Sequence, residues 1–230
     1  MKLRNIILAT VAVAVSSTAF AADNNGMISK GGTYVGLAGG WGKVESDTTF
    51  VDSFEGDSGT GSSTSGGFSG RVYFGYLSPL SGNLLVGPEL GYSYYANNNY
   101  HLNDTTEHIN ASIKQSGYGI DLLLNVTYAI TNALNVAVKP GFQYSFEKLT
   151  SDNSFWWGGN NNNSMQDSKI LPEINLETNW QAFANQPFFL GASYQYVFGS
   201  DGRDQMVRAL NGFVTPSSRQ MIALNLEYLF

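Results

Sequence analysis

The stretch Gln220-Met-Ile-Ala-Leu-Asn-Leu-Glu-Tyr-Leu-Phe230 splits into two faces at a period of two. Ile222, Leu224, Leu226, Tyr228 and Phe230 share one face. Met221, Ala223, Asn225, Glu227 and Leu229 share the other. The first face is wholly apolar and ends in two aromatics; the second carries an amide and a carboxylate. Alternation of this kind is the signature of a β-strand that divides a greasy environment from a polar one.

The same pattern recurs upstream. Residues 86–94, 138–146 and 190–198 align with one another without gaps, each with alternate apolar positions that end in aromatics. Residues 33–41 are a weaker copy, with Val35, Leu37 and Trp41 on one face and Gly36, Ala38 and Gly40 on the other. Between these copies lie return strands. Phe68, Val72, Phe74 and Tyr76 alternate with Ser69, Arg71, Tyr73 and Gly75. Tyr118, Ile120, Leu122, Leu124, Val126 and Tyr128 alternate with Gly119, Asp121, Leu123, Asn125 and Thr127. Ile170, Pro172, Ile174, Leu176 and Trp180 alternate with Leu171, Glu173, Asn175, Glu177 and Asn179. With the terminal strand the set comes to eight, each near the ~9–11 residues of a tilted membrane strand. The connections alternate too. Segments 78–83, 129–133 and 182–187 are short, while 43–67, 96–116, 148–169 and 199–219 are long and rich in Gly, Ser, Asn and Asp. The expected fold is all-β: an eight-stranded antiparallel up-and-down transmembrane barrel with four long loops on one side.

Composition agrees. Charged residues make up 13% of the chain, about half the ~25% of an ordinary soluble domain. The chain has no cysteine, so an exported form must be held by other means than disulfides, which a closed hydrogen-bonded barrel supplies. Lys2 and Arg4 precede an apolar run from Ile6 to Val15, and Ala19-Phe20-Ala21 supplies a small-x-small site. This predicts a Sec-type signal peptide over 1–21, cleaved after Ala21 with Ala22 the next choice, and a single barrel domain over 22–230. Removing those two positive charges from a net of −6 leaves −8. Nucleic acid is excluded as a partner on that balance.

The aromatics fall at strand ends. Tyr92, Tyr94, Tyr144, Phe146, Tyr196 and Phe198 are expected at the outer edge of the apolar band. Tyr76, Tyr128, Trp180, Phe188, Tyr228 and Phe230 are expected at its inner edge. Amphipathic rings favour both interfaces. A soluble barrel with its large apolar groups inside is the competing fold. It would overfill an eight-stranded interior and leave Gly, Ala and Ser to cover the surface. Pro88, Pro140 and Pro172 sit inside strands, where each removes a ladder donor; a bulge or a place near the outer rim would relieve them.

Gly87-Pro-Glu-Leu-Gly-Tyr-Ser-Tyr94, Gly32-Thr-Tyr-Val-Gly-Leu37, the leader and the terminal phenylalanine together resemble the outer-membrane β-barrel family. That family includes the transmembrane domain of outer membrane protein A and the opacity-type surface proteins. The resemblance implies a bacterial outer-membrane location, contact with outer-membrane lipid and lipopolysaccharide, and recognition of Tyr228 and Phe230 by the barrel-assembly machinery. It implies no single activity, because the family holds structural proteins, adhesins and small pores. The sequence stops at Phe230, so a cell-wall tether is not implied.

Placing the apolar face on lipid puts Arg71, Glu89, Asp121, Lys139, Glu173, Glu177 and Glu227 in the lumen. Arg71 and Glu89 flank the first short turn at similar distances and are expected to meet across neighbouring strands. Lys139 lies between the strand of Asp121 and the strand of Glu173 and Glu177. Buried charges need partners, so a rigid ion-pair plug is the favoured reading, with a narrow cation-preferring pore as the alternative. An enzyme is the third class. The two histidines, His101 and His108, lie in the second long loop near Glu107 and Ser112, but no tight pattern places a nucleophile beside a base. No catalytic residue, cofactor or metal is therefore expected; Asn160 to Asn163, Asp152 and Asp167 lack the fixed spacing of a calcium site. Phe155, Trp156 and Trp157 stand out as three bulky aromatics in a polar loop, the candidates for contact with a host or environmental ligand. The expected role is structural and surface-display.

Overall fold

The computed structural model describes residues 31–45, 59–64, 66–104, 109–155, 160–183, 186–199 and 217–230. The strands are β1 (Gly32–Val44), β2 (Gly59–Thr64), β3 (Gly67–Ser81), β4 (Leu84–Asp104), β5 (Ile109–Ala129), β6 (Leu134–Phe155), β7 (Asn160–Gln181), β8 (Phe188–Val197) and β9 (Arg219–Leu229). Eight of them pair antiparallel in the cyclic order β1-β3-β4-β5-β6-β7-β8-β9. The circle closes where Leu37 of β1 faces Leu226 of β9. β2 stands outside the circle, as a short strand added to the upper part of β4. The expected eight-stranded antiparallel barrel is thus the observed architecture, and the signal-peptide segment lies outside the described residues.

The alternation of the sequence sorts the side chains. Leu224 is 74% exposed and Phe142 58%, whereas Glu89 and Lys139 are fully buried. This is the reverse of a soluble core. A continuous band of Leu, Ile, Val and Phe facing outward around a closed cylinder is stable only against hydrocarbon. Aromatic rings bound the band at both ends. Toward the long loops, Tyr118 stacks on Phe146 at 4.7 Å between ring centres and lies 6.0 Å from Tyr92. Toward the short turns, Phe188, Tyr228 and Phe230 meet edge to face at 4.9 and 4.8 Å.

Three short turns close the inner end. β3 and β4 run closer together than the sequence indicates, leaving Gly82 and Asn83 as the turn. Gly82 takes a φ of 50°, a left-handed conformation that costs a glycine nothing. At the other end the structure corrects the loop assignments. Segments 96–116 and 148–169 are largely strand, not irregular loop. β4, β5, β6 and β7 run for 21, 21, 22 and 22 residues, about twice a membrane crossing. Above the girdle the β5–β6 and β6–β7 ladders run on to Ile109↔Phe155 and Ser154↔Asn160, and the β4–β5 ladder reaches Asp104↔Ile109 past a register shift between Tyr95 and Asn98. Polar residues that read as coil are paired here because each strand inherits its register from the barrel below. The result is a sheet of β2, β4, β5, β6 and β7 that stands above the outer girdle.

The prolines are accommodated by gaps in one ladder rather than by leaving the strands. Pro88 keeps its register opposite Leu124, while the β3–β4 ladder is interrupted between Gly75↔Glu89 and Ser78↔Val86. Pro140 stays opposite Ile174, while the β5–β6 ladder is interrupted between Leu123↔Gly141 and Val126↔Val138. Pro172 sits where β7–β8 pairing begins at Glu173, and its carbonyl accepts the Phe198 N–H at 2.9 Å. In each case the missing donor is met by a local break on one side.

The depth of Leu224 in the apolar band makes it a direct probe of this orientation. Leu224→Arg is expected to destabilise the barrel by about 2–4 kcal/mol in reversible denaturant unfolding from lipid vesicles. A change below about 1 kcal/mol would place that side chain away from hydrocarbon.

Candidate functional site

The inward positions fill the cylinder in three layers. The inner layer is an apolar cluster of Tyr34, Tyr73, Leu77, Leu85, Ala129, Phe189 and Leu229. The sequence pattern does not mark these positions, because large apolar residues there interrupt a face that otherwise carries small or polar groups. The middle layer is ionic. The outer layer packs Val44, Tyr95, Leu171, Val197, Met221 and Ala223 beneath a second polar cluster.

All seven lumen charges named from the sequence are buried. Arg71 and Glu89 meet across the neighbouring strands β3 and β4, as their distances from the turn suggest. Register places Ser93 opposite Arg71 and Gly75 opposite Glu89, so the contact is made by the long Arg71 side chain leaning along the lumen. Its Nη2 stands 2.8 Å from Glu89 Oε1, an ion pair by distance rather than an aligned hydrogen bond. Its Nε donates to Asp121 Oδ2 at 2.7 Å. Lys139 does not turn to Asp121 or Glu173. Its Nζ bridges Glu89 and Glu177, at 2.7 Å to each. Glu89 is therefore shared by both cations, and it also accepts the Tyr34 hydroxyl at 2.7 Å. Asn125 Nδ2 donates to that same hydroxyl at 2.8 Å, and Asn179 Nδ2 donates to the second oxygen of Glu177. The faces of Tyr73 complete the shell, with Lys139 Nζ 5.0 Å and Arg71 Cζ 4.9 Å from the ring centre, near enough for cation–π attraction.

Two acids stand apart. Glu173 is held by amides: Gln195 Nε2 donates at 2.6 Å and Gln143 Nε2 at 3.4 Å. The same Gln143 nitrogen donates to Asp121 at 2.6 Å, so one amide bridges two carboxylates. Glu227 lies toward the inner mouth, where it lines a shallow pocket with Asn125, Leu77, Phe189 and Leu229.

Glycines make room for this network. A β-carbon at Gly91 would stand 2.6 Å from Arg71 Nη2, and one at Gly117 2.9 Å from Arg219 Cζ. Gly36 and Gly75 lie beneath the rings of Tyr73 and Tyr34 in the same way. Small inward residues are thus the places that large side chains from other strands cross.

The outer cluster is built on Arg219, which the sequence pattern assigns to a loop. It is fully buried. Its two terminal nitrogens donate to the carbonyls of Tyr118 and Phe146, at 3.1 and 3.0 Å. One of them also stands 3.4 Å from Glu147, and the guanidinium lies 5.3 Å from the Tyr95 ring centre. Arg219 starts β9 while Tyr118 and Phe146 belong to β5 and β6, so the side chain crosses the mouth from wall to wall. Ser217 N–H and Gln115 Nε2 both donate to Glu147, at 2.9 and 2.7 Å. Glu147 and Arg219 escape sequence reading because they fall just outside the periodic runs, Glu147 after Phe146 and Arg219 before Gln220. An inward charge at that position was the available signal.

The remaining candidates are distributed as follows. Phe155 ends β6, and Trp156 and Trp157 fall between β6 and β7, outside the described residues. His108 and Glu107 also lie outside them. Register sets Ser112 opposite His101 on one side and Asp152 on the other. Among the described residues no cluster of three or more His, Asp or Glu forms a metal site.

No family model matches the chain, and no curated protein matches it. Solved structures do. Neisserial surface protein A matches at 14% identity over 86% of this chain and 97% of its own, with a TM-score of 0.43. Ail, the attachment invasion locus protein of Yersinia pestis, matches at 14% identity over 86% and 99%, TM-score 0.43. The outer membrane protein OprG from Pseudomonas aeruginosa matches at 14% identity over 87% and 98%, TM-score 0.43. Identities this low transfer no activity.

The shared anion Glu89 makes the ionic layer sensitive to its cations. Lys139→Met is expected to cost about 3–5 kcal/mol, because it leaves Glu177 buried without its cation and Glu89 with Arg71 alone. The triple change Glu89→Gln, Lys139→Met and Glu177→Gln is expected to recover most of that loss. Urea unfolding midpoints of the refolded proteins in vesicles check both.

Proposed function

We propose that the protein is an integral barrel of a bacterial outer membrane with a structural and surface-display role. The observation that carries this is the combination of a filled cylinder with strands that outrun it. Three packed layers occupy the lumen, and the two hairpins β4–β5 and β6–β7 extend about as far beyond the band as within it. A barrel built this way spends its interior on rigidity and presents polar sheet and loops on one side. The mode of action is binding rather than catalysis. Phe155, Trp156 and Trp157, which follow one another in sequence between β6 and β7, are the first residues to test against an external ligand. Tyr228 and Phe230 serve as the signal for the assembly machinery.

A narrow cation-preferring pore is the second reading. Its support is the excess of acid in the middle layer, with Glu89, Asp121, Glu173, Glu177 and Glu227 against Arg71 and Lys139. The amide-held Glu173 is the acid most able to pass a cation along. The narrow bore of eight strands weighs against it.

Two measurements test the proposal. The chain lacks cysteine, so introduced thiols report topology cleanly. Ser164→Cys is expected to react with a membrane-impermeant maleimide on whole cells, and Asn83→Cys only after the envelope is opened; the opposite pattern overturns the display role. In planar bilayers the refolded protein is expected to hold no steady conductance. A steady current abolished by Glu173→Gln would establish the pore instead.

A further inference from the structure

The inner mouth of the barrel holds a carboxylate that the ionic layer leaves without a cation. Glu227 is 6% exposed, yet among the described residues it enters no ion pair. Lys139 Nζ is engaged by Glu89 and Glu177, at 2.7 Å to each. Arg71 is engaged by Glu89 and Asp121. The Tyr73 ring leans over Gly36, which stands opposite Glu227, and brings no charge. A buried carboxylate so placed needs either a proton or a cation.

The walls beside it favour the cation. Glu227 lines a cavity of about 20 Å³ together with Thr127, Asn135 and Asn179, room for one water-sized guest. Asn135 of β6 and Asn179 of β7 stand directly opposite one another. Both are more than nine-tenths buried, and the Oδ1 of each has no hydrogen-bond partner. A β-carbon at Gly191 would collide with Asn179 Oδ1. That oxygen therefore leans across β8 toward β9, the strand of Glu227. Nearby hydrogens are turned elsewhere: Asn179 Nδ2 donates to Glu177, Asn125 Nδ2 to Tyr34, and Thr127 Oγ1 to Asn125 Oδ1. Around the cavity this leaves one carboxylate, two amide oxygens and the Thr127 hydroxyl oxygen, from four strands. A water molecule would satisfy the amides and leave the charge unmet. A cation answers both.

We propose that Glu227, Asn135 and Asn179 hold one small monovalent cation, sodium, at the inner mouth. Charge decides against a divalent ion. The site has a single carboxylate, with the Lys139 ammonium in the tier above, whereas calcium affinity rises with the number of charged oxygens. Size decides against potassium, since the cavity has the volume of about one water molecule. Leu77, Phe189 and Leu229 line the same cavity and shield the ion from bulk water, which strengthens its attraction to Glu227. Bound there, the cation ties β6, β7 and β9 together at the end of the barrel that the side-chain ion pairs do not reach.

The test follows urea unfolding of the refolded full chain in detergent micelles, where both mouths meet solution. Sodium, potassium and choline chloride are compared at equal ionic strength. With about 0.3 M sodium and a dissociation constant of about 30 mM, the unfolding constant is expected to be about tenfold lower than in choline. Potassium is expected to give about threefold or less. Glu227→Gln keeps the shape, removes the charge and is expected to abolish the difference between salts. Asn135→Ala keeps the carboxylate and is expected to cut the sodium effect to about threefold, which decides the matter if Glu227→Gln does not refold. Asp167→Asn removes a charge from the projecting sheet and leaves the full sodium effect. The sodium magnetic-resonance line width checks occupancy: the wild type broadens it and Glu227→Gln does not. Equal stability in the three salts overturns the site and leaves a proton as the partner of Glu227. A sodium effect that survives Glu227→Gln overturns the site as well, and potassium matching sodium overturns the choice of ion.

Discussion

Every backbone N–H and C=O that enters hydrocarbon must find a partner in the protein, because no water is there to supply one. The β1–β9 seam is where this chain meets that demand. Tyr34 to Val44 pair with Arg219 to Leu229 along the whole seam, and no edge of the cylinder is left open. The outward greasy faces, the inward polar ones and the girdles at both ends follow from that closure. Even the in-strand prolines obey it, since each break is confined to one side of one strand.

Closure at eight strands creates a second constraint, a narrow interior. Side chains must fill it completely, and any charge admitted must be satisfied inside it. The chain answers with division of labour between strands. Residues of one wall supply glycine where those of another send a guanidinium or a phenol ring across. Among the described residues Glu89 then becomes the hub of the middle layer, because it pairs with Arg71 and Lys139 and also accepts the Tyr34 hydroxyl. Arg219 does the corresponding work at the outer mouth by spanning from β9 to the carbonyls of β5 and β6. Charges that would be a liability one by one are tied into two cross-linked tiers.

The same ladders carry the barrel's order beyond the membrane. A strand that leaves the band in register with its neighbours keeps pairing, so polar sequence with little strand preference of its own is held extended. This gives the exterior a sheet instead of loose loops. It also lets one surface run from acyl-chain depth to headgroup height without interruption.

Much of this was legible in the sequence. The period of two in 220–230 and its copies, the terminal aromatics and the spacing of the turns determined the strand count, the inside and the outside, and the list of residues that share the lumen. These are local properties: alternation assigns a face whatever the neighbouring strand does. Partnership was legible only in part. The Arg71–Glu89 pair was foreseeable from the first short turn, but not that Lys139 would share Glu89, nor that Arg219 would find the carbonyls of Tyr118 and Phe146, about a hundred residues away in the first case. Nor could the length of β4 to β7 be read from residues that have no apolar period. Register, side-chain reach across a closed lumen and the cooperative extension of ladders depend on how strands far apart in the chain are brought together. Only the tertiary structure decides those.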